Sequence, residues 1–556
     1  MTHRPALVRA LIGLVAVAVL AGACAASTTE ATSDGTTAAG SSSGSDGSSV
    51  PTSGTGDGVV TTYDGPGAPD AVNAGFPVED EGWALDLPGV QKLEYKYGPI
   101  TVHPGQNSIE FSGADVPRPD FDGWLVGIKP DLERADGTVP PVDELHLHHG
   151  VWLNLSRQDA TTPRLPERIF AAGEEKTFLR SPPGFGYRYD ADDNLLINYM
   201  LHNLWPTEEQ AYITYTFWLI PADHPSAEGI REARPIWMDV VNGSIYPVFD
   251  VLKGSADDGT FTYPDDVPDA YRGEPLNEWT VDRDSVIIGT GGHLHPGGLT
   301  VDLDVRRDGV EAANPAVEDD QVEIFSSIAE YYEPAGAVSW DVSMTVAPPE
   351  YRVAVKKGDV LSLSTTYDSD RASWYESMGI MVLFMVDGTD GVDPFQEPVE
   401  YRKVLSHGHL AENDNHGGQT VEYPDSATKA ASAPTDQVRI VDWVYSPGDM
   451  ALDETIPVVA PGEPLEFFNE DDKKEPPGLW HTVTACKAPC DRDTGVAYPL
   501  ADADIVFDSG ELGTGGAPTA DRNDWTIPTD LPEGTYTYFC RIHPFMRGAF
   551  RVDDGS

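Results

Sequence analysis

From residue 61 to residue 400 the apolar residues come in short runs, broken every few positions by Pro, Gly or Asp, and no long helical period develops. Leu145–Leu155, Leu195–Trp205 and Ala211–Ile220 are such runs in the first half of this region. Ser285–Ile288, Leu299–Val305, Tyr351–Val355, Val360–Thr366 and Gly379–Val386 follow in the second. Short apolar segments bounded by turn residues read as strands. The chain's 54 glycines and 46 prolines supply the turns. The expected fold is all-β, with β-sandwiches over 61–232 and 233–400. A third β-domain over 438–556 is expected from Val438–Val444, Leu465–Asn469, His481–Thr484 and Thr535–Cys540. A chain of 556 residues is long enough for three separate cores.

The flanks read differently. Arg4 and Arg9 precede an apolar run, Leu11 to Ala23, that is short for a membrane span. The run ends in Leu20-Ala-Gly-Ala-Cys24, which resembles a bacterial lipoprotein processing site, with Ala21 where a larger apolar residue is usual. Residues 1–24 are therefore expected to export the chain to the bacterial cell envelope. A lipid on Cys24 would hold it to the outer face of the membrane. Ordinary cleavage to a secreted protein is the alternative. Residues 25–60, almost all Ser, Thr, Gly, Ala and Asp, read as a disordered tether. Residues 401–437 read as a linker carrying His407, His409 and His416, which form either a further metal site or a polar loop.

The formal charge of -55, from 36 Lys and Arg against 91 Asp and Glu, excludes nucleic acid as a partner. It leaves a solvated acidic exterior that attracts cations. The four cysteines, Cys24, Cys486, Cys490 and Cys540, are too few for a disulfide scaffold. Cys486 and Cys490 are expected to form one small disulfide. A zinc half-site is the alternative, but no further Cys or nearby His pair completes it.

Tyr538-Phe-Cys-Arg-Ile-His-Pro-Phe-Met546 places Cys540, His543 and Met546 in a Cys-x2-His-x2-Met spacing, and His481 follows a strand upstream. A thiolate, two imidazoles and a weak thioether form the ligand set of a blue, type I copper. The segment resembles the cupredoxins, particularly the plastocyanin and amicyanin group. That resemblance implies a Greek-key β-sandwich, one-electron transfer, and an electron exit through His543 near the surface.

Two further histidine clusters and a strand carrying one more histidine precede it. Glu144-Leu-His-Leu-His-His149 holds His146, His148 and His149, and Leu195–His202 is an apolar strand ending in His202. Gly291-Gly-His-Leu-His-Pro-Gly-Gly298 holds His293 and His295, which alternate and so share one face of a strand. Met378 follows in Trp374-Tyr-Glu-Ser-Met-Gly-Ile380. Adjacent His148 and His149 serve one metal only if the strand bulges, and His146, alternating with His148, competes with His149. Met381 and Met385 on the next strand compete with Met378 as the thioether.

The order and context of these clusters resemble the copper type II, ascorbate-dependent monooxygenases, the family of peptidylglycine α-hydroxylating and dopamine β-monooxygenases. The resemblance covers residues 90–395 and implies two jelly-roll sandwiches and two type II coppers. It assigns His148, His149 and His202 to an electron-storing copper. It assigns His293, His295 and Met378 to the copper where O2 reacts. The peptide-hydroxylating members grip a substrate carboxylate at places that here hold Gly291, Ile380 and Val382, so a peptide carboxylate is not the expected substrate.

The resulting expectation is a secreted multi-copper redox protein with one blue and two type II coppers. It would hydroxylate a C–H bond of a small organic substrate with O2, fed electrons one at a time by the blue-copper domain and ultimately by an external donor. The alternative is a non-enzymatic electron carrier whose two sandwiches are a docking or copper-holding module.

Overall fold

The computed structural model describes residues 76–78 and 87–554, apart from 114–115, 143, 206, 245–246, 272, 332–341, 371–372, 409–424, 474–478, 488–505, 515–521, 542 and 544. The leader, the tether and Cys24 lie outside the described residues, as do Cys490, His409, His416 and the side chain of Cys486. The expected disulfide and most of the linker histidine cluster therefore do too. The elements described below belong to one compact unit, Thr61–Gly243 with Pro247–Ser556. The described residues form strands and short 3-10 turns, with no α-helix, and none of these helices is long and apolar enough to cross a membrane. The chain is all-β.

Strict alternation sets the first domain. Along Glu209–Pro221, Ala211, Ile213, Tyr215, Phe217 and Leu219 all point inward and are buried. This strand pairs with Gln91–Val102 on one side and Gly123–Arg134 on the other, one strand in from the edge of a six-stranded sheet. A four-stranded sheet faces it, in the order Asn107–Phe111, Leu195–Asn203, Leu145–Gln158, Pro166–Gly173. Trp152, Phe170 and Ile197 from the second sheet meet Tyr215, Phe217 and Ile128 from the first in one core. Each large side chain so buried contributes roughly 1.5–3 kcal/mol.

The chain changes partners at Ala233. Arg231–Glu232 pairs with Phe185 and Gly186 of the first domain, whereas Arg234–Asp239 pairs with Ile380–Asp387 of the second. Eleven of the second domain's strands join in one sheet, eight along a continuous path and three off it, and Phe249–Val251 pairs with Trp374–Ser377 in a separate two-stranded sheet. Leu299, Val301, Leu303 and Val305 alternate into its core, where they meet Phe325, Tyr331 and Tyr367.

The C-terminal domain pairs a six-stranded with a four-stranded sheet, and Tyr445, Phe467, Tyr538 and Phe550 fill the space between. The linker expected over 401–437 is shorter than its composition suggests. Leu405 pairs with Thr345 of the second domain, and Ala430–Pro434 is an edge strand of the C-terminal domain, parallel to Thr455–Val459. Arg551 secures that edge by donating to the carbonyls of Ala427 and Lys429 at 3.2 and 2.9 Å.

Candidate metal centres

In the C-terminal domain three donors meet at one point. Cys540 Sγ lies 3.8 Å from His481 Nδ1 and 3.6 Å from His543 Nδ1, and the two nitrogens are 3.1 Å apart. Metal bonds of roughly 2.0–2.3 Å at trigonal angles would space such donors about 3.5–3.8 Å apart. The sulfur edges fit and the nitrogen edge is somewhat short. Burial alone would raise the Cys540 thiol, but the facing imidazoles outweigh it and hold the pKa well below the usual thiol value. The Thr482 N–H donates to the sulfur at 3.3 Å. The loop closes on itself, with Cys540 N donating to Met546 O and Met546 N to His543 O. Buried Asp471 accepts from His481 Nε2 at 3.2 Å and from the N–H groups of Asp442 and Trp443, which leaves Nδ1 of His481 for a metal.

His543 is not the surface residue expected. It is buried, and its Nε2 donates to the carbonyl of Gly105, in the first domain, at 2.9 Å. Gly105 has φ +59, and a Cβ there would sit 2.3 Å from the Trp443 ring, so a side chain at this position would push the domains apart. The next residue, Gln106, accepts from Asn203 N at 2.9 Å, and Asn203 follows His202. A single chain of bonds and two hydrogen bonds thus joins His543 to His202.

The upstream histidines converge because the Leu145–Gln158 strand bulges. His146 pairs with His202 and Leu147 with Leu201, but His149 pairs with Met200, so His148 is the extra residue. The bulge brings together His146, His148 and His202, whose donor atoms lie within 4.8 Å of one another. His146, not His149, completes that set. His149 falls on the other side of the bulge, within electrostatic reach of His293 and Glu175. Burial is the main cause that pushes His146 down to about 4 and His149 to about 3, and it holds His148 and His295 well below the usual histidine value. Neutral imidazoles are the form that binds metal.

His293 ends the Ser285–His293 strand, and His295 follows in a turn. That turn needs glycine at Gly297, where φ is +95 and a Cβ would meet Trp374 at 2.2 Å. His295 Nδ1 donates to the Glu376 carbonyl at 2.6 Å, and His293 Nδ1 donates to the Glu175 carboxylate at 2.8 Å. Both Nε2 atoms are buried and have no hydrogen-bond partner among the described residues. The Tyr367 hydroxyl ties His295 to Met378: it accepts from both backbone N–H groups and donates to Met378 O at 2.7 Å. Met381 and Met385 belong to the core of the second domain, whereas Met378 is buried outside that core.

The two expected sites are not separate. The His148 and His295 rings lie 4.1 Å apart, centroid to centroid, so the domains press both histidine sets into one buried centre. Two carboxylates enter it from the Gly173–Lys176 turn. Glu174 accepts from His148 Nδ1, and Glu175 holds His293. Sequence reasoning missed both, since Gly-Glu-Glu-Lys after a strand reads as a solvated turn. A cleft opens beside His293 and Glu175, lined by Phe170, Phe178, Val346, Ile380, Val382 and Phe384 among others.

No family model matches the chain, and no curated protein does. Among solved structures it is similar to a copper-containing nitrite reductase from Thermus scotoductus SA-01, 15% identical over 50% of this chain and 59% of that one, at a TM-score of 0.14. It is also similar to the VP2 subviral particle of infectious bursal disease virus, 11% identical over 60% and 81% of the two chains, at a TM-score of 0.16. The chain thus spans about three-fifths of the reductase's length. Likenesses this loose carry no argument about chemistry.

Proposed function

We propose that this is an exported copper redox protein whose cupredoxin-type centre feeds electrons, one at a time, to the upstream histidine centre, where O2 hydroxylates a C–H bond of a small apolar substrate. Residues 1–24 and Cys24 would export the chain and anchor it at the outer face of the bacterial membrane. The observation that carries the relay is the hydrogen bond from His543 Nε2 to Gly105 O. A free-standing electron carrier keeps this imidazole edge open to partners; here it is spent on the chain's own first domain.

The donor sets fit copper: a thiolate with two Nδ1 atoms in the C-terminal domain, and clustered imidazoles upstream, where the Nε2 atoms of His293 and His295 have no hydrogen-bond partner among the described residues. Copper, when bound, supplies one-electron transfer at the first set and O2 chemistry at the second. The reaction R–H + O2 + 2e⁻ + 2H⁺ → R–OH + H2O needs electrons from an external donor. Cys540, His481 and His543 would receive them, and the Gly105–Gln106 segment would carry them to His202. Glu376 and Glu175 fix the tautomers of His295 and His293. Burial of the centre excludes bulk water. The cleft's apolar lining supports an uncharged substrate. Among the described residues that line it, Arg180 is the one Lys or Arg, and it donates to the Ser406 carbonyl at 3.1 Å.

The test is copper per chain after loading and desalting, with an electron paramagnetic resonance spectrum. One blue copper and two type II coppers are expected. A single blue copper would leave the alternative, an electron carrier with scaffolding domains. In a protein that passes this test, Gly105→Ala should keep the blue spectrum and slow re-oxidation of the reduced blue centre by O2.

A further inference from the structure

We propose that Glu174 is a metal ligand at the junction of the two upstream histidine sets, so that they form one carboxylate–histidine centre instead of two all-neutral sites. The inference rests on the copper reading above and adds a residue that the histidine pattern does not contain.

Glu174 is 2% exposed, and its ion-pair contacts among the described residues are to His148 and His146, with no Lys or Arg. A buried carboxylate is kept only where something compensates its charge. Its Oε1 accepts from His148 Nδ1 and lies 3.8 Å from His146 Nε2. Its Oε2 is buried without a hydrogen-bond partner among the described residues. Donor atoms of His148, Glu174 and His295 lie within 4.8 Å of one another, and so do those of Glu174, Glu175 and His293. Glu174 is therefore within ligating reach of histidines from both domains. The atoms left over are all lone-pair bearers: Glu174 Oε2, His293 Nε2 and His295 Nε2. A cation bound there would take up lone pairs that no hydrogen bond among the described residues uses.

Glu175 is the contrast. Its Oε1 accepts from Gly173 N at 2.9 Å and from Thr177 Oγ1 at 3.2 Å, and its Oε2 accepts from His293. It is fully engaged and acts as a positioning residue.

The experiment uses the full chain carrying Cys540→Ser, so that only upstream copper is observed. Copper per chain and the Cu(II) resonance spectrum are measured for this parent, for Glu174→Gln and for Glu175→Gln. Gln keeps the shape and hydrogen bonding of a neutral carboxyl but is a poor ligand. Glu174→Gln should hold at least one copper fewer per chain and change the remaining spectrum, while Glu175→Gln keeps the count. An unchanged count and spectrum in Glu174→Gln would overturn the inference and leave the copper reading standing. A parent that binds no copper would overturn both. Should Glu174→Gln fail to fold, the infrared difference between metal-free and copper-loaded Glu175→Gln decides. A shifted carboxylate band supports ligation by Glu174, and its absence refutes it.

Discussion

The C-terminal and upstream centres solve the same problem in opposite ways. Cys540, His543 and Met546 sit in one loop closed by two of its own backbone hydrogen bonds, and His481 joins through a single bridge to Leu512 in the same domain. The upstream donors come from two domains and span His146 to His295: the first domain builds the His146, His148 and His202 set by itself, but its junction with His293 and His295 exists only when the domains are docked. A loop-built centre survives whatever its neighbours do, whereas an interface-built centre reports on docking. The largest expected effect follows. Cys540→Ser should abolish the blue absorption completely, leave upstream copper in place, and reduce turnover with a protein electron donor to background. Unchanged turnover would end the relay.

Acid should separate the centres next. In the metal-free chain, burial lowers His146 to about 4, against about 6.5 when unfolded. Between these values the unfolded chain holds the proton and the native chain does not, so stability falls as pH falls through that window. His146 alone accounts for about 3 kcal/mol by pH 4, and His149, lowered to about 3, adds to it. His481 differs in sign. Burial lowers it, but Asp471 and Cys540 outweigh burial and leave it raised, so acid costs the C-terminal domain nothing through this group. Calorimetry of the metal-free chain from pH 7 to 4 should show one transition moving down while the C-terminal one lags. Equal shifts would contradict this local cause.

The same division explains what the sequence made legible. Alternation along Glu209–Pro221 and Gly298–Arg306 reports the strand period directly, so the all-β fold was readable. The Cys-x2-His-x2-Met spacing is local, and the loop geometry follows from it. The choice of His146 over His149 was not readable, because one extra residue in a strand flips every side chain beyond it and nothing in Leu-His-Leu-His-His marks where the bulge falls. Nor was the burial of His543, since its partner Gly105 lies 438 residues away and only domain docking unites them. Glu174 and Glu175 were hidden by their own chemistry: carboxylates in a turn are solvated in nearly every other context.

A smaller effect probes how each centre is oriented. Asp471 accepts from His481 Nε2 and Trp443 N through one oxygen and from Asp442 N through the other. In Asp471→Asn one of these positions becomes a donor facing a donor. Copper affinity at the C-terminal centre should fall about 10–100-fold, the usual range for losing such a supporting partner. The blue spectrum should return at saturating copper, and upstream affinity should not change. A competition titration with a chelator measures both. An equal loss at the two centres would mean that they are coupled through more than the Gly105 contact.

The smallest expected effect is on stability, and its value lies in the comparison between neighbours. Met378 and Met381 are three residues apart and both buried, at 2% and 0% exposure. Leu conserves the volume of either, so Met378→Leu and Met381→Leu should each cost less than about 1.5 kcal/mol. Their copper chemistry should diverge. Met381 packs in the core of the second domain, and its replacement should leave the upstream resonance spectrum untouched. Met378 stands outside that core and is tied through the Tyr367 hydroxyl to the backbone of His295. Losing its thioether should weaken Cu(I) binding more than Cu(II), because a soft sulfur donor favours the reduced ion. The upstream potential would then fall while melting temperature barely moves. Identical copper behaviour in the two variants would make Met378 a packing residue, and would leave His293, His295 and Glu174 as the donors on that side of the centre.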